Sequence, residues 1–198
     1  MARFAGLDFA EKMVETDDAS ARAELLLLAP SVRVPRLTHG KISVWDTLAI
    51  GEYLNEIKPK AGLLPADPAA RAHCRSVCGE MHSGFSALRS ALPMNLKAKF
   101  PNFTVWSRAK GDIERVEEIW QDCLKKYGGP YLFGEFSLAD AYFAPVASRA
   151  HTYALPLPPE ASAWAARVLA SPGVAAWVED ALAERDFLDF EEPYRKAR

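Results

Sequence analysis

The sequence has no long apolar run. Its longest aliphatic stretch, Leu25 to Ala29, covers little more than one helical turn, against the roughly 20 residues that a bilayer-crossing helix needs. No membrane span is therefore expected. Positive charge is not in excess either: 24 Lys and Arg face 26 Asp and Glu, a formal net charge of −2. No basic patch recurs, which argues against nucleic-acid binding by phosphate neutralisation. Met1-Ala2-Arg3-Phe4 runs into Asp8, Glu11 and Lys12 with no apolar stretch, so no export signal is expected. Cysteine is scarce. The three residues, an odd number, point to reduced thiols in a cytoplasm.

What is present reads as globular protein. Of 198 residues, 49% are hydrophobic and 25% charged, enough for one large domain or two small ones. The first third mixes short elements. Phe9 to Thr16 reads as a strand, and Ser20 as the N-cap of a helix over Ala21 to Ala29, with Glu24 in its first turns. Val32 to Thr38 and Lys41 to Val44 read as strands joined at His39-Gly40. Pro35 sits oddly inside the first of them, because proline cannot donate to a ladder. Asp46 to Ile57 reads as a helix with apolar Leu48, Ala49, Ile50, Tyr53, Leu54 and Ile57, stopped by Pro59.

From Asp67 onward no convincing strand follows. Cys74, Cys78, Met81, Phe85, Leu88 and Leu92 recur at steps of 4, 3, 4, 3 and 4, one face of a long helix over 67 to 92. Ile113, Val116, Trp120, Cys123, Leu124 and Tyr127 mark a second helix. Ser137-Leu138-Ala139-Asp140 is a capping-box pattern ahead of the apolar run Ala141 to Ala147. That helix is expected to be buried all round and kinked at Pro145. Two shorter helices follow, near Glu160 to Ala170 and Pro172 to Glu184. The boundary between the halves lies in "KPKAGLLPADP".

Three sequence features carry a resemblance. Val34-Pro35 is followed closely by Trp45-Asp46-Thr47-Leu48-Ala49-Ile50 and Tyr53-Leu54. Gly62-Leu63-Leu64-Pro65 stands at the boundary. Phe133-Gly134 precedes Phe136-Ser137-Leu138-Ala139-Asp140-Ala141, with Pro145 and Arg149 beyond. In this order and spacing the chain resembles the glutathione transferase family, of the cytosolic bacterial type. The resemblance implies an α/β plus all-α chain: a thioredoxin-like glutathione-binding domain over 1–58, and an all-helical C-terminal domain over 67–198.

It also implies a site. Pro35 would follow a cis bond at the end of its strand, leaving the Val34 backbone to pair with the cysteinyl backbone of glutathione. The Asp46-Thr47 pair would hold the γ-glutamyl end, with the helix N-terminus and the Thr47 hydroxyl at its carboxylate and Asp46 at its ammonium. The family usually has Glu-Ser or Gln-Ser there, and an ordinary N-cap is the plain alternative. Ser137 and Asp140 would cap the central helix, a structural role.

Relative to the family pattern, one part is missing. "MARFAGLDFAEKMVE" matches the end of the first helix and the second strand. The preceding strand and loop, with the Ser, Tyr or Cys that hydrogen-bonds the glutathione sulfur, has no counterpart. No Ser, Tyr or Cys precedes Thr16, so the catalytic residue is unknown, and the expectation is that the natural chain is longer.

Other residues read less sharply. Cys74 and Cys78 are read as packing residues, and no metal site is expected, since no His completes a zinc set. His73 and His82 fall on opposite helix faces. His82 shares a face with Arg75, Ser86 and Arg89, which the resemblance places beside the second-substrate pocket, with a solvated or dimer-facing stripe as the alternative. Arg149 is read as an ion-pair partner. The expected function is conjugation of glutathione, as co-substrate, to a small electrophile in cytoplasmic detoxification by a homodimer, the helix from residue 67 lying near its twofold axis. Glutathione-dependent reduction or isomerisation, and a non-enzymatic binding or dimerisation scaffold, are the alternatives.

Overall fold

The computed structural model describes residues 1–14, 23, 33–185 and 193–194. Two compact units divide it, Met1–Leu63 and Leu64–Arg198. The expected helix over 21–29 and its Ser20 cap fall outside the described residues, Ala23 excepted.

Among the described residues the first unit holds a hairpin, the helix that follows it and a short 3-10 turn, Pro59–Ala61. Strands β1 (Leu37–His39) and β2 (Ile42–Val44) pair antiparallel, Leu37 opposite Val44 and His39 opposite Ile42. The two-residue loop is Gly40-Lys41, and Gly40 takes φ +59°, which glycine adopts without steric cost. Pro35 therefore lies ahead of β1, neither inside nor at the end of a strand, which corrects the expected strand over 32–38. A ring with no N–H is tolerated there because the ladder has not begun. Residues 9–14 form no strand, which corrects the reading of Phe9 to Thr16 as far as it is described.

Helix α1 (Thr47–Ile57) follows. Ile50 and Leu54, one turn apart, bury against Ala5 and Leu63, with Leu37, Val44 and Ile57 packed around them. A side-chain hydrogen bond from β1 to α1 joins His39 Nδ1 and Tyr53 Oη at 2.7 Å.

The second unit is helical: α2 (Pro68–Ser83), α3 (Ser86–Ala91), α4 (Ser107–Tyr127), α5 (Leu138–Thr152), α6 (Pro159–Leu169) and α7 (Pro172–Ala183). The long helix expected over 67–92 is broken. Phe85 takes φ +60°, between α2 and α3. The break is held from both sides. Arg89 donates to the carbonyls of Met81 (2.6 Å) and Gly84 (3.3 Å) at the end of α2, and Asp112 Oδ2 accepts from Leu88 N at 2.9 Å at the start of α3. Gly84 is required there, because a Cβ would lie 2.7 Å from the Glu80 carbonyl oxygen. The apolar stripe survives the break: Cys74, Cys78, Met81, Phe85, Leu88 and Leu92 are all buried within the chain.

Helix α5 is the centre of this unit, packed against α2 and α6. It stays helical across Pro145. Trp120 and Trp164 meet at 4.4 Å between ring centroids, and Trp120 meets Phe143 edge-on at 6.0 Å. Arg149, 8% exposed, donates to the Leu92 carbonyl at 2.7 Å and to the Pro145 carbonyl at 3.1 Å. Two of its partners are thus backbone carbonyls, that of Leu92 freed at the end of α3.

Helices α2 and α4 are joined by His73, whose Nδ1 lies 2.9 Å from Tyr127 Oη. Burial first, then Lys126, holds this imidazole below its ordinary value, with Asp122 opposing. The native state therefore favours neutral His73. Stability from this source is complete above the unfolded-state value near 6.5 and is lost as pH falls below it. Melting temperature should decline between about pH 7.5 and 5.5. His73→Phe, which keeps a ring against Phe133, should flatten part of that decline, since His151 is also held low by burial and Lys99. An unchanged slope in thermal melts would refute the assignment.

Candidate functional site

The residues expected to form a binding site lie at two places in the first unit. Val34 is half exposed just ahead of β1, and the Val34–Pro35 bond is cis, as are Trp45–Asp46 and Gly129–Pro130. Asp46 and Thr47 stand where β2 gives way to α1. Asp46 is the N-cap: its Oδ1 accepts from Leu48 N at 2.9 Å and from Ala49 N at 3.3 Å. No acidic residue occupies the first turn of α1. Its positive dipole end thus carries the Asp46 cap and no acidic side chain in its own first turn, and such an end attracts a carboxylate. The β1–β2 hairpin and the Ile50 and Leu54 core hold both places on one small scaffold.

Ser137 and Asp140 form a capping box at the head of α5. Asp140 is fully buried. Its Oδ2 accepts from Ser137 N (2.8 Å) and Ser137 Oγ (2.9 Å), its Oδ1 from Leu132 N (3.0 Å) and Trp164 Nε1 (2.8 Å). Burial pushes this carboxyl up, while the Leu132, Trp164 and Ser137 donors pull it back. All four bonds are structural. The sequence pattern found the Ser137 partner; the Trp164 and Leu132 partners, 24 and 8 residues away, carry no local signal.

The residues assigned to a second-substrate face lie on two helices, His82 on α2 and Arg89 on α3. His82 is exposed near the end of α2, its ring edge-on to Tyr142 at 6.4 Å. Arg89 is committed to the Met81 and Gly84 carbonyls at the break. The helical continuity that put them on one face is absent, because Phe85 reverses the local backbone.

None of the three cysteines is reachable. Cys74, Cys78 and Cys123 are fully buried and reduced. Burial pushes the Cys123 thiol up to about 12, so it stays protonated and inert. Among the described residues no group of three or more His, Cys, Asp or Glu side chains could hold a metal ion, and no helix is long and apolar enough to cross a membrane.

Comparison with known proteins follows the same division. Residues 1–57 match the glutathione S-transferase N-terminal domain and residues 85–180 the glutathione S-transferase C-terminal domain. A probable maleylacetoacetate isomerase of Caenorhabditis elegans is 29% identical over 77% of this chain and 72% of its own length. Glutathione S-transferase 1 of Dianthus caryophyllus is 34% identical over 71% and 65%, and glutathione S-transferase F14 of Arabidopsis thaliana 31% identical over 88% and 69%. The matched stretches thus span about two thirds of these relatives. Among solved structures, a glutathione transferase homolog from Burkholderia GL BGR1 with bound glutathione superposes at a TM-score of 0.67, with 26% identity over 92% of this chain and 88% of that one. Glutathione S-transferase 1-6 from Anopheles dirus, at 20% identity and a TM-score of 0.69, shares the fold. An N-terminal thioredoxin-like domain with few strands, followed by an all-helical domain, is that fold, and this chain belongs to the glutathione S-transferase family.

Proposed function

We propose that this chain binds glutathione through its first unit, with the Val34 backbone beside Pro35 pairing with the cysteinyl residue and the Asp46-Thr47 end of α1 holding the γ-glutamyl group. The observation that carries the reading is the N-terminus of α1: a dipole end with an Asp cap, a Thr hydroxyl and no further acidic residue in its first turn, in a family whose Burkholderia member holds glutathione. A γ-glutamyl group brings both a carboxylate for the N–H end and an ammonium for the Asp.

Asp46→Asn separates recognition from capping. Asparagine caps a helix about as well as aspartate, so melting temperature should hardly move. Loss of the charge-assisted bond should weaken glutathione binding about tenfold. Thr47→Ala should weaken it by a further two- to tenfold, roughly, for one hydroxyl bond. Isothermal calorimetry beside thermal melts measures both. Unchanged affinity in both variants would remove α1 from the site.

The reaction proposed, where the chain carries the sulfur-activating loop of the family, is conjugation to a small electrophile, in a cytoplasmic homodimer. A second reading is favoured by the names of the relatives, several of which are maleylacetoacetate isomerases at 29–32% identity. Assays of glutathione-dependent isomerisation of maleylacetoacetate and of conjugation, on one sample, separate the two. Failure to bind glutathione resin would favour a non-enzymatic scaffold.

A further inference from the structure

The proposed glutathione site has two halves, and a side-chain pair outside both bears on their alignment. In the hairpin Leu37 stands opposite Val44 and His39 opposite Ile42. The chain ahead of Leu37 and the chain after Val44 therefore leave from the same end. Val34-Pro35 and Asp46-Thr47 belong to that end, while His39 closes β1 at the other, beside the Gly40-Lys41 turn. Only Trp45 and Asp46 separate β2 from α1. The direction in which the first N–H groups of α1 point thus depends on how the rest of the helix is held to the hairpin.

Two kinds of contact hold it. Ile50 and Leu54 bury against Ala5 and Leu63, with Leu37 and Val44 packed around them. Such burial keeps α1 against the hairpin, but it is non-directional and leaves the helix some freedom to tilt. The second contact is directional. Tyr53 lies about 9 Å along the helix from Thr47. Its Oη is 2.7 Å from His39 Nδ1, and the two rings meet edge-on at 6.0 Å between centroids. A hydrogen bond of this length weakens steeply with distance and angle. It forms whichever partner donates: a neutral imidazole accepts or donates at Nδ1, and an imidazolium donates.

We propose that His39 and Tyr53 are positioning residues for glutathione, setting the direction of α1 relative to the Val34 backbone so that one ligand reaches both halves at once. This role presupposes that the first unit binds glutathione as proposed. A ligand that spans both halves gains from their alignment, because its second contact then forms at a high effective concentration. A ligand that uses the α1 end alone gains nothing from it. His39 is exposed and Tyr53 half-buried, so the effect is that of one modest hydrogen bond.

The test uses the whole chain of residues 1–198, ¹⁵N-labelled, with the Thr47 amide resonance followed by NMR. The probes are glutathione and γ-glutamylmethylamide, which keeps the γ-glutamyl carboxylate and ammonium and lacks the cysteinyl residue. The parent chain should bind glutathione more tightly than γ-glutamylmethylamide. Tyr53→Phe and His39→Ala should each weaken glutathione about two- to fivefold and leave γ-glutamylmethylamide unchanged. The double variant should be no worse than either single one, since all three lack the same bond. Tyr53→Phe, which removes one oxygen, decides alone if His39→Ala fails to fold. Unchanged glutathione affinity in the variants, equal weakening of both probes, additive losses in the double variant, or a parent that binds both probes alike overturns the positioning role and leaves glutathione binding standing. A parent chain that binds neither probe overturns both.

Discussion

Asp140→Ala is expected to destabilise the helical unit by about 3–5 kcal/mol. The side chain is fully buried and accepts four hydrogen bonds. Removing it leaves Leu132 N, Ser137 N and Trp164 Nε1 as buried donors. Each unsatisfied donor costs about 1–3 kcal/mol, and the three are not additive, since they share one cavity that water can partly fill. The Ser137 hydroxyl can turn elsewhere. With roughly 2–4 °C lost per kcal/mol in a chain of this size, melting should fall by about 10 °C. Asp140→Asn should cost less. Its amide oxygen can keep the Leu132 and Trp164 donors, but its NH₂ then faces the Ser137 N–H, donor against donor. Calorimetric or circular-dichroism melts of the two variants check the ranking. An alanine variant as stable as the parent would remove Asp140 from the centre of the fold.

The polypeptide of residues 1–198 is expected to bind glutathione weakly and to conjugate electrophiles little faster than free glutathione. Recognition by backbone pairing and a helix end needs no catalytic hydroxyl. Activation of the thiol does, because a free thiol with pKa about 8.5 is only a few per cent thiolate at neutral pH. A donor that lowers this value raises the thiolate fraction by up to about thirtyfold. Residues 1–15 contain no Ser, Tyr or Cys, and the three cysteines of the chain are buried in the other unit. Calorimetry with glutathione beside a chromogenic conjugation assay on the same sample tests both halves. Robust conjugation would mean that another group activates the thiol. His82, exposed on α2, would be the first to replace.

The sequence alone carried the expectation of two domains, most helices of the second unit and the residues of the proposed glutathione site. These rest on near-neighbour physics. Apolar residues at helical spacing bury one face wherever the helix packs, Asp46 caps the turn that follows it, and Ser137 and Asp140 are three residues apart and bond across that gap. Where a reading needed more than neighbours, tertiary structure decided. The stripe from Cys74 to Leu92 keeps its period across Phe85, so periodicity could not reveal the break. Arg89 and Asp112 stabilise that break, and Asp112 approaches from 24 residues away. The same break puts His82 and Arg89 on two helices. β1 starts two residues after Pro35, not before it, because ladder pairing depends on which residues find a partner strand, and here β2 pairs only with Leu37 to His39. Arg149 reached carbonyls of Leu92 and Pro145, and Asp140 reached Trp164, through contacts that exist only once α3, α5 and α6 have packed.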